Sequence, residues 1–291
     1  MNRKLNFYQV IVAVVLISVT GAFFAQADEV AEKAREVFKR QQKAVVTVQI
    51  VLKATYTSSG RTSPASETKR EITGTVVDPS GLTVLSLSEC DPAEMYQMMM
   101  NDSGTRMETE VTDVKVLQDD GTEIPAEIVL RDRDLDLAFL RPKTKPANPM
   151  PAVDLSKTTP VQVLDQVLAI NRLNRAASRA YSASVERISA VIKTPRTFYI
   201  PDSTATATGL GAPAFALDGN IVGLFVMRAI KGQSSSTRDF RQNLTGIIIT
   251  ADDVLKTAKQ APEAKGETGE KKEESKENKG TGEEKASKDE K

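Results

Sequence analysis

The sequence predicts an all-β protein, built as antiparallel barrels or a sandwich, with a short helix at each end. Three observations predict it. Short, alternating, β-branched runs recur along most of the chain. Tight-turn signals such as Pro79-Ser80-Gly81 and Asp119-Asp120-Gly121 separate neighbouring runs. Almost no helical periodicity lies between them, which argues against an α/β fold.

Taken in order, the chain opens with Arg3 and Lys4, an apolar stretch from about Phe7 to Phe24, and Ala25-Gln26-Ala27. A basic start, an apolar middle and a small-residue end describe an export signal, residues 1–27, cleaved before Asp28. The uncleaved alternative is a membrane anchor. Residues 28–43 place Val30, Ala34, Val37 and Phe38 at helical spacing, so an amphipathic helix is expected there. At Ala44 the period changes to that of a strand. The expected strands of the first half, 44–145, are AVVTVQIVLKA (44–54), EITGTVV (71–77), LTVLSL (82–87), DVKVL (113–117), PAEIVL (125–130) and DLAFLR (136–141).

A proline-containing stretch, 141–151, marks the divide, and residues 146–160 are read as the linker. The second half, 161–260, offers VQVLDQVLAI (161–170), SASVERISAVI (182–192), RTFYI (196–200) and GIIIT (246–250). It also holds the segment TGLGAPAFALDGNIVGL (208–224), a glycine-rich turn and two apolar runs joined at Asp218-Gly219. Thr250 followed by Asp253 resembles a capping box and predicts a closing helix. From Pro262 onward eight lysines face ten acidic residues without apolar periodicity, so 261–291 is expected to be a disordered, solvated tail.

Composition excludes several chemistries. Lys+Arg and Asp+Glu balance at 39 each, and aromatics make up 5%, so nothing favours nucleic acid. There is no histidine, which removes the usual general base and the commonest metal ligand. With a single cysteine, Cys90, neither an internal disulfide nor a Cys/His zinc site can form. No metal and no cofactor is expected. The methionines of MYQMMM (95–100) could bind Cu(I), but an adaptable apolar lining is the preferred reading. Arg172, Arg175 and Arg179 are read as a solvated loop rather than a site for an anionic partner. The sequons at Asn101 and Asn243 matter only in a eukaryotic secretory pathway.

Several segments together resemble the trypsin-like serine proteases, specifically the bacterial HtrA/Deg branch. ITGTVVDPSGLTVLSLSEC (72–90) is similar to the hairpin that leads to the family's catalytic histidine. DGTEIPAEIVLRDRDLDLAFLR (120–141) resembles the hairpin ending in the Asp-Leu-Ala motif, and 208–224 resembles the Gly-Asn-Ser-Gly-Gly-Pro nucleophile loop. DQVLAI (165–170) and the closing helix fall in the family's order, so the likeness spans about residues 30–258. It implies a double six-stranded antiparallel β-barrel with a cleft between the barrels; no PDZ-like segment is read after them.

Carried over position by position, Asp136 matches the catalytic aspartate. Ser88 stands where the histidine would be and Leu210 where the serine would be. Gly211 and Pro213 match the loop, while Ala212 replaces a glycine. The resemblance therefore implies a triad without base or nucleophile, and an exported pseudoprotease acting as a binding or scaffolding module. Asp136 is then expected to be a structural carboxylate accepting backbone N–H bonds. The N–H groups of Gly209, Leu210 and Gly211 could form an oxyanion-like nest, but the preferred reading is that Leu210 turns inward and plugs the cleft. A peptide or protein partner in that cleft is expected, and membrane contact only through an uncleaved signal. The alternatives are an active serine endopeptidase of envelope quality control with a non-standard catalytic set, and a structural envelope protein.

Overall fold

A computed structural model describes residues 29–99, 104–202, 209–229 and 244–264. The expected export signal, the asparagines of both sequons, residues 204–208 and all but the first residues of the tail lie outside the described residues.

Helix α1 occupies residues 29–41 and ends in a 3₁₀ turn, Gln42–Ala44. Seven strands follow: β1 (Val45–Ser58), β2 (Arg61–Thr62), β3 (Ser66–Val76), β4 (Thr83–Ser86), β5 (Thr105–Leu117), β6 (Glu123–Asp132) and β7 (Leu137–Pro142). Their order is β2-β1-β3-β4-β7-β6-β5, and the β1–β5 pairing closes six of them into a barrel, with β2 as a short flange. Two short helices, α2 (Leu87–Cys90) and α3 (Ala93–Met99), lie between β4 and β5. The second barrel contains β8 (Gln166–Arg172), β9 (Tyr181–Ile192), β10 (Phe198–Pro201), β11 (Pro213–Ala216), β12 (Ile221–Ala229) and β13 (Leu244–Thr250). It closes in the order β10-β13-β12-β11-β8-β9. Helix α4 (Ala251–Ala258) ends the fold, and the Thr250 hydroxyl accepts the Asp253 N–H at 3.3 Å as its cap. The expected double six-stranded barrel with terminal helices is the observed architecture.

Strand side chains alternate between faces, so a strand buried on both faces must be apolar throughout. β7 follows this rule. Leu137 and Phe139 enter the cluster shared by the two barrels, while Ala138 and Leu140 fill the first barrel's interior. β13 follows it too, with Ile247 and Ile249 in the shared cluster and Ile248 inside the second barrel. α1 and α4 cap the shared cluster with Ala34, Val37, Ala251 and Val254. Each fully buried large aliphatic side chain contributes about 2 kcal/mol of burial, so this third, inter-barrel core fixes how the barrels meet.

β12 and β13 approach closely at Gly223, where a Cβ would stand 1.7 Å from the Ile249 carbonyl oxygen. Gly223→Ala is expected to destabilise the protein by about 3 kcal/mol. Thermal or urea unfolding measures this; a native-like midpoint would exclude the close approach.

Candidate functional site

Asp136 ends the turn between β6 and β7. That turn is built by Asp132, whose carboxylate accepts the N–H groups of Asp134 (3.0 Å) and Leu135 (3.1 Å). Leu135 drops into the shared core, and Asp136 takes a left-handed backbone, φ +56. This conformation is uncommon for a residue with a Cβ and persists only when its surroundings hold it. Here the Leu87 N–H donates to the Asp136 carbonyl at 2.9 Å.

The side chain of Asp136 collects four donors. The Ser86 hydroxyl donates at 2.6 Å and the Ser88 hydroxyl at 3.1 Å. The backbone N–H of Ser88 donates at 2.7 Å and that of Met227 at 2.9 Å. The two serine hydroxyls lie 2.9 Å apart. Burial pushes the Asp136 carboxyl above its ordinary value, and these hydrogen bonds only partly oppose that. Ser88, in the single turn of α2, thus stands directly against the aspartate. Ser86 and the Met227 N–H were not identified from sequence. Ser86 carried a usable signal, since it lies two residues from Ser88, whereas nothing local points to Met227.

Leu210 sits in a turn whose flanking glycines are required. Gly209 and Gly211 have φ of +86 and +82. A Cβ on either would come within 2.4 Å of a neighbour: the Asn171 amide for Gly209 and the Thr73 carbonyl for Gly211. The Gly211 N–H donates to the Phe225 carbonyl at 2.8 Å, and its carbonyl accepts the Thr75 hydroxyl at 2.9 Å. The nest considered from sequence therefore loses Gly211, whose N–H is spent inside the barrel. Leu210 is buried, 9% exposed, and its side chain offers neither donor nor acceptor. Ala212 is fully buried just before β11, beside Pro213.

A cavity of about 540 Å³ remains beside Asp136, lined among others by Ser88, Met95, Arg131, Arg196, Phe198 and Arg228, and Leu210 does not border it. Of the methionine run, only Met95 has a described side chain, and it lines the cavity. Among the described residues no His/Cys/Asp/Glu group is arranged to hold a metal, and no helix is long and apolar enough to cross a membrane.

Within the arginine segment, residues 173–178 are exposed, as expected of a solvated loop, whereas Arg172 and Arg179 are paired with carboxylates. Arg179 makes a two-pronged contact with Glu71 at 3.0 and 2.5 Å. Arg172 pairs with Asp119 at 2.9 Å and stacks 4.0 Å from the Tyr181 ring. Asp119 also accepts from Lys43 and from the Tyr181 hydroxyl at 2.8 Å. Asn171 accepts a short hydrogen bond from Thr73. These contacts bind the β8–β9 loop of the second barrel to the first. Their carboxylates lie over fifty residues away in sequence, which is why local composition reads only as a loop.

Residues 72–224 match the family described as the trypsin-like peptidase domain. The chain belongs to that family. Among solved structures, the crystal structure of Deg5 is similar, with a TM-score of 0.49 and 16% identity over 78% of this chain and 92% of that one. No curated protein matches the chain significantly.

Cys90 is 1% exposed, and its thiol donates to the Leu87 carbonyl at 3.3 Å. Burial, aided by Asp91, pushes the thiol up to about 12. Cys90 is expected to stay unmodified by a thiol reagent at pH 8 in the folded protein and to react fully in denaturant; rapid labelling of native protein would refute its burial.

The Glu71 carboxyl is held below its ordinary value, chiefly by the hydrogen bond from Arg179. A lowered folded-state value means that the contact stabilises above the ordinary glutamate range and is lost as pH falls through the lowered value. Glu71→Gln is expected to cost about 1 kcal/mol at neutral pH and nothing once Glu71 is protonated. Paired urea unfolding at pH 7 and in acid checks this; an equal cost at both would show that charge is not involved.

Proposed function

We propose that this trypsin-like domain is an exported pseudoprotease that works as a binding or scaffolding module. The observation that carries the reading is the state of Asp136. Its carboxylate is occupied by two serine hydroxyls and two backbone N–H groups. In an active triad the aspartate orients an imidazole, which in turn moves the serine proton. This chain contains no histidine, and Leu210 takes the nucleophile's place in the loop. In subtilisin, loss of either base or nucleophile lowers kcat by about 10⁶. Ser86 and Ser88 do not replace the lost set, because a carboxylate is far too weak a base to take a serine proton near neutral pH. The amino-terminal apolar segment supports export, and the open cavity supports binding.

The purified protein is expected to resist labelling by a fluorophosphonate probe and to leave casein intact after a host-protease control. Leu210→Ser is expected to remain unlabelled as well, since no base accompanies the new hydroxyl. Covalent modification of any serine in the unaltered chain would overturn the reading.

A further inference from the structure

The cavity beside Asp136 has a chemical bias that the family assignment does not supply. Arg131 comes from the end of β6, Arg196 from the segment before β10, and Arg228 from β12. The chain as a whole is neutral, yet three arginines from both barrels converge on one opening. Among the described residues none of the three is in an ion pair. Arg228 is positioned by its guanidinium lying 4.8 Å over the Phe198 ring, so part of its freedom is already lost. Arg133 also borders the cavity but has contacts of its own and is not counted.

Three aspartates line the same space, and two are committed elsewhere. Asp136 has its four donors. Asp91 accepts from the Thr109 hydroxyl and, at 3.4 Å, from the Ala93 N–H. Asp134 remains exposed at the rim. Neutral donors do not cancel those charges, but they occupy the carboxylate oxygens, so the groups left to pair with a ligand are three arginines and one aspartate. The walls between the arginines are apolar, with Met95, Val226 and Ile247 among them.

We infer that this cavity binds an acidic peptide segment, with carboxylates on Arg131, Arg196 and Arg228 and aliphatic side chains against the walls. This rests on the binding-module reading and names its ligand class. Planar guanidinium groups take carboxylates in a two-pronged manner. About 540 Å³ suits a few side chains of an extended segment. A single-stranded nucleic acid would need an exposed ring for base stacking, whereas the cavity's aromatic ring, Phe198, is 7% exposed and covered by Arg228.

The test is fluorescence anisotropy with a dye-labelled hexapeptide of alternating glutamate and leucine, on the full chain. Binding is expected to weaken with added salt and to exceed that of the glutamine-for-glutamate peptide by about tenfold. Arg131 and Arg196 are exposed, so the double variant R131Q/R196Q should fold normally and lose about tenfold in affinity. R228Q, checked for its unfolding midpoint, should lose affinity too, while R106Q, distant on β5, should not. Equal binding of the two peptides overturns the acidic class but leaves a peptide-binding cleft. Unchanged affinity in R131Q/R196Q overturns the site. Failure of both peptides to bind native protein removes the binding-module reading together with the inference. Preferential binding of an oligothymidylate overturns the peptide class. Cleavage of the bound peptide overturns the pseudoprotease reading and leaves the acidic cleft standing.

Discussion

The part-buried carboxylate of Asp136 is the constraint on which the centre of the molecule depends. A charged group withdrawn from water is tolerated only when donors replace the lost hydration. Asp136 obtains them from β4 through Ser86, from α2 through Ser88, and from β12 through the Met227 N–H. The first two belong to its own barrel and the third to the other, so one side chain couples the two barrels at the cleft. The strained backbone of Asp136 is held by the same arrangement, because the helix turn that supplies the Ser88 N–H also donates the Leu87 N–H to its carbonyl. In an enzyme the aspartate's task is to orient a base. Here the same position also meets a need of folding, since its donors come from both barrels.

The two sides of the cleft are finished differently. On one side, Thr73–Asn171, Glu71–Arg179 and Asp119–Arg172 draw the β8–β9 loop onto the first barrel. The Leu210 turn lies under this clamp, since Gly209 abuts Asn171 and Gly211 abuts Thr73. On the other side, the space next to Asp136 stays open, and Arg131, Arg196 and Arg228 on its lining make no ion pair among the described residues. Ion pairs at a protein surface stabilise weakly, so the clamp matters through geometry: it sets the loop in one place and leaves the opposite face available.

Much of the fold was legible because most strands are buried on at least one face. The runs at 82–87, 136–141 and 246–250 coincide with β4, β7 and β13, whose residues alternate between two cores. The expected strand 113–117 is only the buried end of β5. From Thr105 to Asp113 that strand alternates between half-exposed and exposed positions, and so carries no apolar signal. Helix α2 was invisible for another reason: its first turn is organised by Asp136, 48 residues beyond Ser88. At the site, Ser88, Asp136 and Leu210 were nameable through resemblance alone. The Met227 N–H and the arginines of the cavity come together only in three dimensions, and no spacing announces them.

The geometry of the glycine loop around Leu210 follows from the same physics. Gly211 is held by Thr75 through its carbonyl and by Phe225 through its N–H, in a conformation that a side chain would disrupt. A different side chain at Leu210 breaks none of these bonds, whereas replacing Gly211 would break the packing of β3 against the loop. The glycines are therefore required by the folded geometry, while the position between them holds a leucine that the interior accepts. A nucleophile-loop motif in this fold thus reports the barrel geometry first. Its bearing on catalysis depends on Leu210, Ser88 and the donors around Asp136, which the glycines do not determine.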